Sequence, residues 1–375
     1  MRPSRSTLAR ATAVAVVLGV LVVVGRLSGE DSRPATLPTV TTVRRPTLSL
    51  PATMPSSVTA QLRFGNVAAV TATAAGDAVW AAHGCAVFRV DPHTNQVVAT
   101  VGLPPIPDGC WVAGMAAGAG ALWVSQSGAR LVRIDPRVNR VVATVPLPQL
   151  ATPAATAGGV WGVCCWSGIN SAYPAGWLVR VDPATNRVVA RIRLGGLPTA
   201  VGVGSSGVWV TGAGGPIWRV DPGSGRVVAT VRVPGGLGGL PGRPGPLGEV
   251  GEVLVGAAAV WVSNPASGQV LRVDPARNRL VGAASTHDAS IVGAQVGPSL
   301  VAAGGRVWAT SWITLLALGG QARRVSLDDL AGRQDESEPI SDLAASPGAI
   351  WVGAWKGLFR VDLARLRRAG AAFSG

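Results

Sequence analysis

Residues 79–101 read VWAAHGCAVFRVDPHTNQVVATV, and residues 122–145 read LWVSQSGARLVRIDPRVNRVVATV. Aligned on Trp80 and Trp123, both carry a tryptophan segment, an Arg-Val or Arg-Ile pair, an Asp-Pro corner and a valine-rich run. The corner has a physical reading. Asp accepts hydrogen bonds from the turn backbone, and Pro holds φ near about −65° at the next position. Three residues after each Pro stands Asn95, Asn139, Asn186, Gly225 or Asn278. Asn and Gly share tolerance of a left-handed backbone, so φ is expected to turn positive there. The runs that follow, 97–101, 141–145, 188–192 and 227–231, are β-branched and predict strands.

The unit recurs along the chain. A small-residue turn, an apolar residue and Trp come together at Trp80, Trp123, Trp161, Trp209, Trp261, Trp308 and Trp351, spanning 271 residues in six steps. The mean period of about 45 residues matches a four-stranded propeller blade. Arg-Val/Ile-Asp-Pro follows five of them, ending at Pro92, Pro136, Pro183, Pro222 and Pro275; copy seven has Arg360-Val361-Asp362-Leu363, and copy six has lost the signature. Unit four predicts strands at about 198–204, 207–211, 216–221 and 226–233. Adjacent apolar pairs such as Val87-Phe88 and Ile217-Trp218 mean that both faces of a strand are covered, as stacked blades require.

The expected fold is therefore all-β: a seven-bladed β-propeller of four-stranded antiparallel blades over residues 58–375. Copy seven ends in Arg365-Leu366-Arg367-Arg368, a poor fourth strand, whereas Val58-Thr59-Ala60-Gln61-Leu62 precedes the first inner strand and resembles an outer one. The N-terminal strand is expected to complete the last blade and close the ring.

Composition agrees. Among 375 residues, 50 Gly and 28 Pro make a helical bundle improbable, and 48% hydrophobic against 14% charged residues excludes a disordered chain. The net charge of +14 is diffuse: residues 1–57 hold seven Arg, and no basic block interrupts the repeats, so nucleic acid is not an expected partner. Arg2, Arg5 and Arg10 precede the apolar stretch 11–25, which predicts a signal peptide or signal anchor within 1–29. Val23-x-Gly25 is a mediocre cleavage site, and no nearby cysteine offers a lipid anchor. Residues 30–57 are rich in Pro, Thr and Ser and read as a spacer. The expected location is extracytoplasmic, secreted or anchored to the cytoplasmic membrane.

The Trp-Val and R-V-D-P-x-T-N-x-V-V-A-T pattern resembles the YVTN-type propeller repeats of bacterial exported proteins, across about residues 58–370. Streptogramin (virginiamycin B) lyases are distantly similar seven-bladed propellers, and that resemblance implies a metal-dependent lyase with His and Glu ligands. Those ligands stand in W-F-T-E and P-H-G contexts, whereas this chain has Trp-Val-Ser or Trp-Val-Thr at 123–125, 209–211 and 261–263 without the Glu, and no Pro-His-Gly. The tryptophan-docking repeat of quinone-cofactor dehydrogenases is absent. No nucleophile–base constellation stands in its place. The expected function is a non-catalytic binding module, with the lyase as the alternative; no cofactor and no metal is expected, and the partner is an extracytoplasmic protein, a cell-envelope component or a small molecule held by a monomer.

In a blade of this kind the second-to-third loop and the connection to the next blade emerge on one face, and the Asp-Pro turns on the other. The turns hold their length; the irregular segments 164–176, 234–249, 286–297 and 328–339 all belong to the first group, where function is expected. Trp166 and Tyr173 are candidates for a ligand-stacking platform, with His83 and His287 as weaker ligand-binding candidates. A calcium site at Asp335, Glu336 and Glu338 competes with a solvated acidic loop. Cys85 and Cys110 predict a disulfide joining blades one and two, while Cys164 and Cys165 are adjacent and could pair with each other, stay free or pair externally.

Overall fold

The computed structural model describes residues 57–366 apart from 73–76, 107–108, 127–129, 149, 168–174, 235, 238–250, 265–266, 287–298, 312–313, 319–322 and 327–339. The expected leader at 1–29 and nearly all of the spacer lie outside the described residues.

After β1 (Val58–Leu62), blade one comprises β2 (Ala69–Ala72), β3 (Val79–His83), β4 (Ala86–Asp91) and β5 (Gln96–Gly102). Blade two holds β6 (Val112–Gly118), β7 (Ala121–Gln126), β8 (Arg130–Asp135) and β9 (Arg140–Pro146); blade three holds β10 (Ala154–Thr156), β11 (Gly159–Ser167), β12 (Ala175–Asp182) and β13 (Arg187–Arg193). Blade four is β14 (Pro198–Gly204), β15 (Gly207–Gly212), β16 (Pro216–Val220) and β17 (Val227–Arg232), within a residue or so of the bounds expected from sequence. Blade five is β18 (Val253–Val255), β19 (Val260–Asn264), β20 (Gln269–Asp274) and β21 (Arg279–Ser285). Blade six is β22 (Leu300–Ala303), β23 (Arg306–Ser311), β24 (Thr314–Leu318) and β25 (Arg323–Ser326). Blade seven supplies β26 (Asp342–Ser346), β27 (Ala349–Ala354) and β28 (Gly357–Asp362). Residues 363–366 form one helical turn where blades one to five have Pro and then a fourth strand.

Six sheets run in chain order, and the seventh is ordered β1-β28-β27-β26. The N-terminal strand is the outer strand of the last blade, antiparallel to β28 with Ala60 opposite Arg360 and Leu62 opposite Leu358. Each inner strand contacts the next, and β26 contacts β2, so the ring is closed. Val58, Ala60 and Leu62 are buried, which ties the closure to apolar burial as well as to strand pairing.

Between blades the core is built from the tryptophan strands. Trp80, Trp123, Trp161, Trp209, Trp308 and Trp351 are buried, and Val87, Phe88, Ile217 and Trp218 are buried on both strand faces as the sequence pattern requires. Trp218, outside the repeated position, fills space left by Gly212 and lies over Gly196. Five of the outer strands carry a bulge where the sequence predicts plain strand: Arg89 pairs with Ala99 but Val90 with Val97, which leaves Val98 out of the register, and Val142, Val189, Val228 and Val281 repeat the pattern. These five valines are 44–55% exposed. The second valine of each pair thus leaves the ladder and kinks the free edge of its blade.

Candidate functional site

The Asp-Pro corner behaves as its chemistry dictates. Asp91 Oδ1 accepts the His93 N–H at 2.8 Å and Asp135 Oδ1 accepts the Arg137 N–H at 2.8 Å. The position three after Pro is left-handed in all five copies: φ is 56°, 51°, 55° and 50° at Asn95, Asn139, Asn186 and Asn278, and 67° at Gly225. Backbone and side-chain donors hold three of the corner carboxyls below the ordinary Asp value, led by the His93 N–H for Asp91, the Ala184 N–H for Asp182 and the Ser224 hydroxyl for Asp221.

In blades one to four the arginine before the corner links its blade to the next. Arg89 stacks on Trp80 of its own blade, 5.7 Å from the ring centre, and donates to Pro136 O at 2.7 Å and Asn139 Oδ1 at 3.1 Å in the next. Arg133 does the same with Trp123, Pro183 O and Asn186 Oδ1, and Arg219 with Trp209, Pro275 O and Asn278 Oδ1. Arg180 stacks on Trp161 and reaches Pro222 O at 3.1 Å, but Gly225 offers it no side-chain acceptor. Arg360 of blade seven donates instead to Thr59 Oγ1 of the closing strand at 2.7 Å, and Asn95 Oδ1 is buried without a partner. The rungs therefore belong to the architecture of one face.

On the opposite face, Cys85 in the β3–β4 loop and Cys110 in the connection to β6 stand at disulfide distance, their Cα atoms 5.2 Å apart, joining blade one to the approach to blade two. Gln126 Nε2 braces this connection, donating to Pro104 O at 2.6 Å and lying 3.2 Å from Cys110 Sγ. Trp111, next to Cys110, is 40% exposed; Trp355, at the tip of the β27–β28 loop and beside exposed Lys356, is 50% exposed. His83 is half-buried. Its Nδ1 lies 2.7 Å from Asn66 O and its ring covers Gly65, where φ is +93°, so it fastens the connection between β1 and β2.

The other candidates from sequence are not brought to this site by the described residues. The side chains of Trp166 and Cys165 and the whole of Tyr173, His287, Asp335, Glu336 and Glu338 lie outside them. Cys164 is buried, and no described cysteine is a free thiol. Among the described residues no group of three or more His, Cys, Asp or Glu side chains comes together as metal ligands, and no helix is long and apolar enough to cross a membrane.

Two carboxylates escaped the sequence reading because they are 90 residues apart and carry no local motif. Glu252 precedes β18 and Asp342 begins β26, both at the end of an inner strand that opens on the irregular face. Glu252 accepts the Ser299 hydroxyl at 3.0 Å and the Leu300 N–H at 2.6 Å, reaching from blade five to blade six. Asp342 accepts the Val70 N–H at 2.8 Å, reaching from blade seven to blade one, and the Leu343 N–H at 2.8 Å. Ser299 also approaches Ser341 O at 3.4 Å, and the Ser341 hydroxyl donates to Val67 O. Polar side chains thus lace the inner strands from blade five round to blade one. Burial pushes Glu252 up to about 7, against the opposing Leu300 and Ser299 donors; burial and then the charge of Glu252 raise Asp342 well above its ordinary value. Each of the four oxygens already accepts a protein hydrogen bond, so the pair latches strands together.

No family model and no curated protein sequence matches the chain. Among solved structures it is similar to the β-propeller domain of Cps50 (Swd1) from Myceliophteria thermophila, with a TM-score of 0.59 and 12% identity over 81% of this chain and 98% of that one. At that identity the likeness supports the propeller fold alone.

Proposed function

We propose that the chain is an exported, non-catalytic binding module of the YVTN-repeat kind, which holds a partner at the face carrying the irregular connections. The observation that carries this reading is the contrast between two rims of one ring. One rim is a set of Asp-Pro turns and arginine rungs engaged in internal bonds; the other presents Trp111, 40% exposed on a connection braced by Cys85–Cys110 and Gln126, and Trp355, 50% exposed at the tip of the β27–β28 loop. Half-exposed tryptophans carried on a rigid ring suit recognition, because they supply contact area with little ordering cost. An oxidised cysteine pair fits an extracytoplasmic location. In this reading the apolar segment 11–25 carries the chain across the membrane and the Pro/Thr spacer sets the propeller off from it.

Photo-cross-linking in exporting cells tests the reading. Benzoylphenylalanine at positions 111 and 355 is expected to give a discrete adduct, and at position 137, in an Asp-Pro turn, none. Adducts from 137 alone, or from none of the three, would contradict it. Protease added to intact spheroplasts is expected to cut within 30–57 and release the propeller if the leader anchors it, or to meet an already released propeller if the leader is cleaved; a chain protected until lysis would refute export.

A further inference from the structure

The repeat is broken at one place in a way that leaves room. In blades one to five the third strand carries an arginine beside the tryptophan, its guanidinium 5.4–5.7 Å from the indole centre. In blade six the residue paired with Trp308 is Ala317. The next blade has changed in step. Where the corners of blades two, three and five offer Pro O and Asn Oδ1 to that arginine, blade seven has Leu363 at the proline position and Leu366 at the asparagine position. These three replacements, with Trp308, Ala303, Gly304 and Arg306, line a cavity of about 260 Å³ on the face of the Asp-Pro turns. An arginine is missing from the interior, and the side-chain acceptor of the facing corner is replaced by leucine. The space has not collapsed.

We infer that this cavity is a ligand site for a flat aromatic carboxylate, seated between Trp308 and Leu363/Leu366 where the other blades seat a guanidinium plane. Three observations set that chemistry. The site runs along an indole, where its counterparts hold a planar group, so a ring can stack there. Leu366 presents an apolar side chain where Asn139, Asn186 and Asn278 present an acceptor to a guanidinium. Arg306 is exposed at the cavity and brings a charge of the sign that excludes a guanidinium and attracts a carboxylate. The Trp308 indole N–H is already donated to Ala303 O at 3.1 Å, so recognition falls to ring stacking and to Arg306. At the packing density of protein interiors the volume suits a guest of roughly a dozen non-hydrogen atoms, the size of indole-3-carboxylate. The site lies on the rim opposite the proposed partner face and does not depend on that proposal.

Isothermal titration of the full chain with indole-3-carboxylate, neutral indole and N-ethylguanidinium tests the assignment. Indole-3-carboxylate is expected to bind with a Kd below about 1 mM, indole about tenfold more weakly, and N-ethylguanidinium not at all. Ala317→Arg with Leu366→Asn restores the repeat and fills the space, and Ala317→Leu fills it without charge. Both are expected to abolish binding while unfolding no earlier than the parent. Arg306→Gln is expected to bring indole-3-carboxylate down to the affinity of indole. Absence of indole-3-carboxylate binding at 10 mM, undiminished binding in the two filled variants, or tighter binding of N-ethylguanidinium would overturn the inference.

Discussion

Asn139 does two jobs with one side chain. Its backbone takes φ of 51° to close a hairpin, and its Oδ1 receives Arg89 from the preceding blade. Asn139→Ala is expected to cost about 1–2 kcal/mol, from the left-handed backbone and the lost acceptor together, measured as a shift in urea midpoint at unchanged m-value. Gly225 does only the first job, at φ of 67°, and Arg180 makes do with Pro222 O. Gly225→Asn is expected to stabilise by about 0.5–1 kcal/mol, since it supplies the missing acceptor and narrows the unfolded ensemble. A Cβ there would meet only the end of Ile192, at 3.3 Å, which can shift. A lower melting temperature for Gly225→Asn would mean that this rung has no room for the side chain. The backbone half of this logic is written in the Asn/Gly alternation. The arginine half is not, because its acceptors stand 47–59 residues away and only blade stacking brings them together.

At the scale of the strand, the outer edge and the closing ribbon solve the same problem differently. Five blades kink their free edge by bulging out a valine, which spoils a flat template for strand addition. Among the described residues blade seven takes its fourth strand from β1, burying Val58, Ala60 and Leu62. A chain beginning at residue 66 bares the β28 edge. It is expected to lose on the order of 5 kcal/mol of stability and to self-associate, read by urea titration and light scattering. Strand order and closure were legible because the copies differ in what they lack: copy seven has no outer-strand run, and an outer-like segment, Val58-Thr59-Ala60-Gln61-Leu62, stands unassigned before the first inner strand. The bulges were not legible, because Val-Val-Ala-Thr reads as strand whether or not one valine leaves the ladder. The cavity in blade six had a visible trace, the missing Arg-Val-Asp-Pro signature, but its meaning needed Leu363 and Leu366 placed against Ala317.

The whole ring has a pH optimum built into its carboxyls. Asp91, Asp182, Asp221, Asp274 and Asp362 sit below the ordinary Asp value, so their contribution is present above about pH 4 and is lost as pH falls through their folded values. Glu252 runs the other way. Its folded value of about 7 lies above the unfolded 4.5, so stability falls as pH rises through that window. The loss is on the order of 2 kcal/mol after solvent screening. The melting temperature is expected to peak between these limits, near pH 5. Glu252→Gln is expected to match the parent at pH 5 and exceed it at pH 8, and equal pH profiles would remove Glu252 as the cause. The acid pair was unreadable in sequence because only the closed ring brings inner strands of blades five and seven within reach of each other.

Everything on the two rims follows from closure of that ring by its first strand, and amide hydrogen exchange reads closure directly. Residues 58–62 are expected to exchange as slowly as 357–361 and to open with them in one cooperative step as urea is added. Exchange of 58–62 within seconds, while 357–361 stays protected, would contradict the closed propeller and the assignment of its faces.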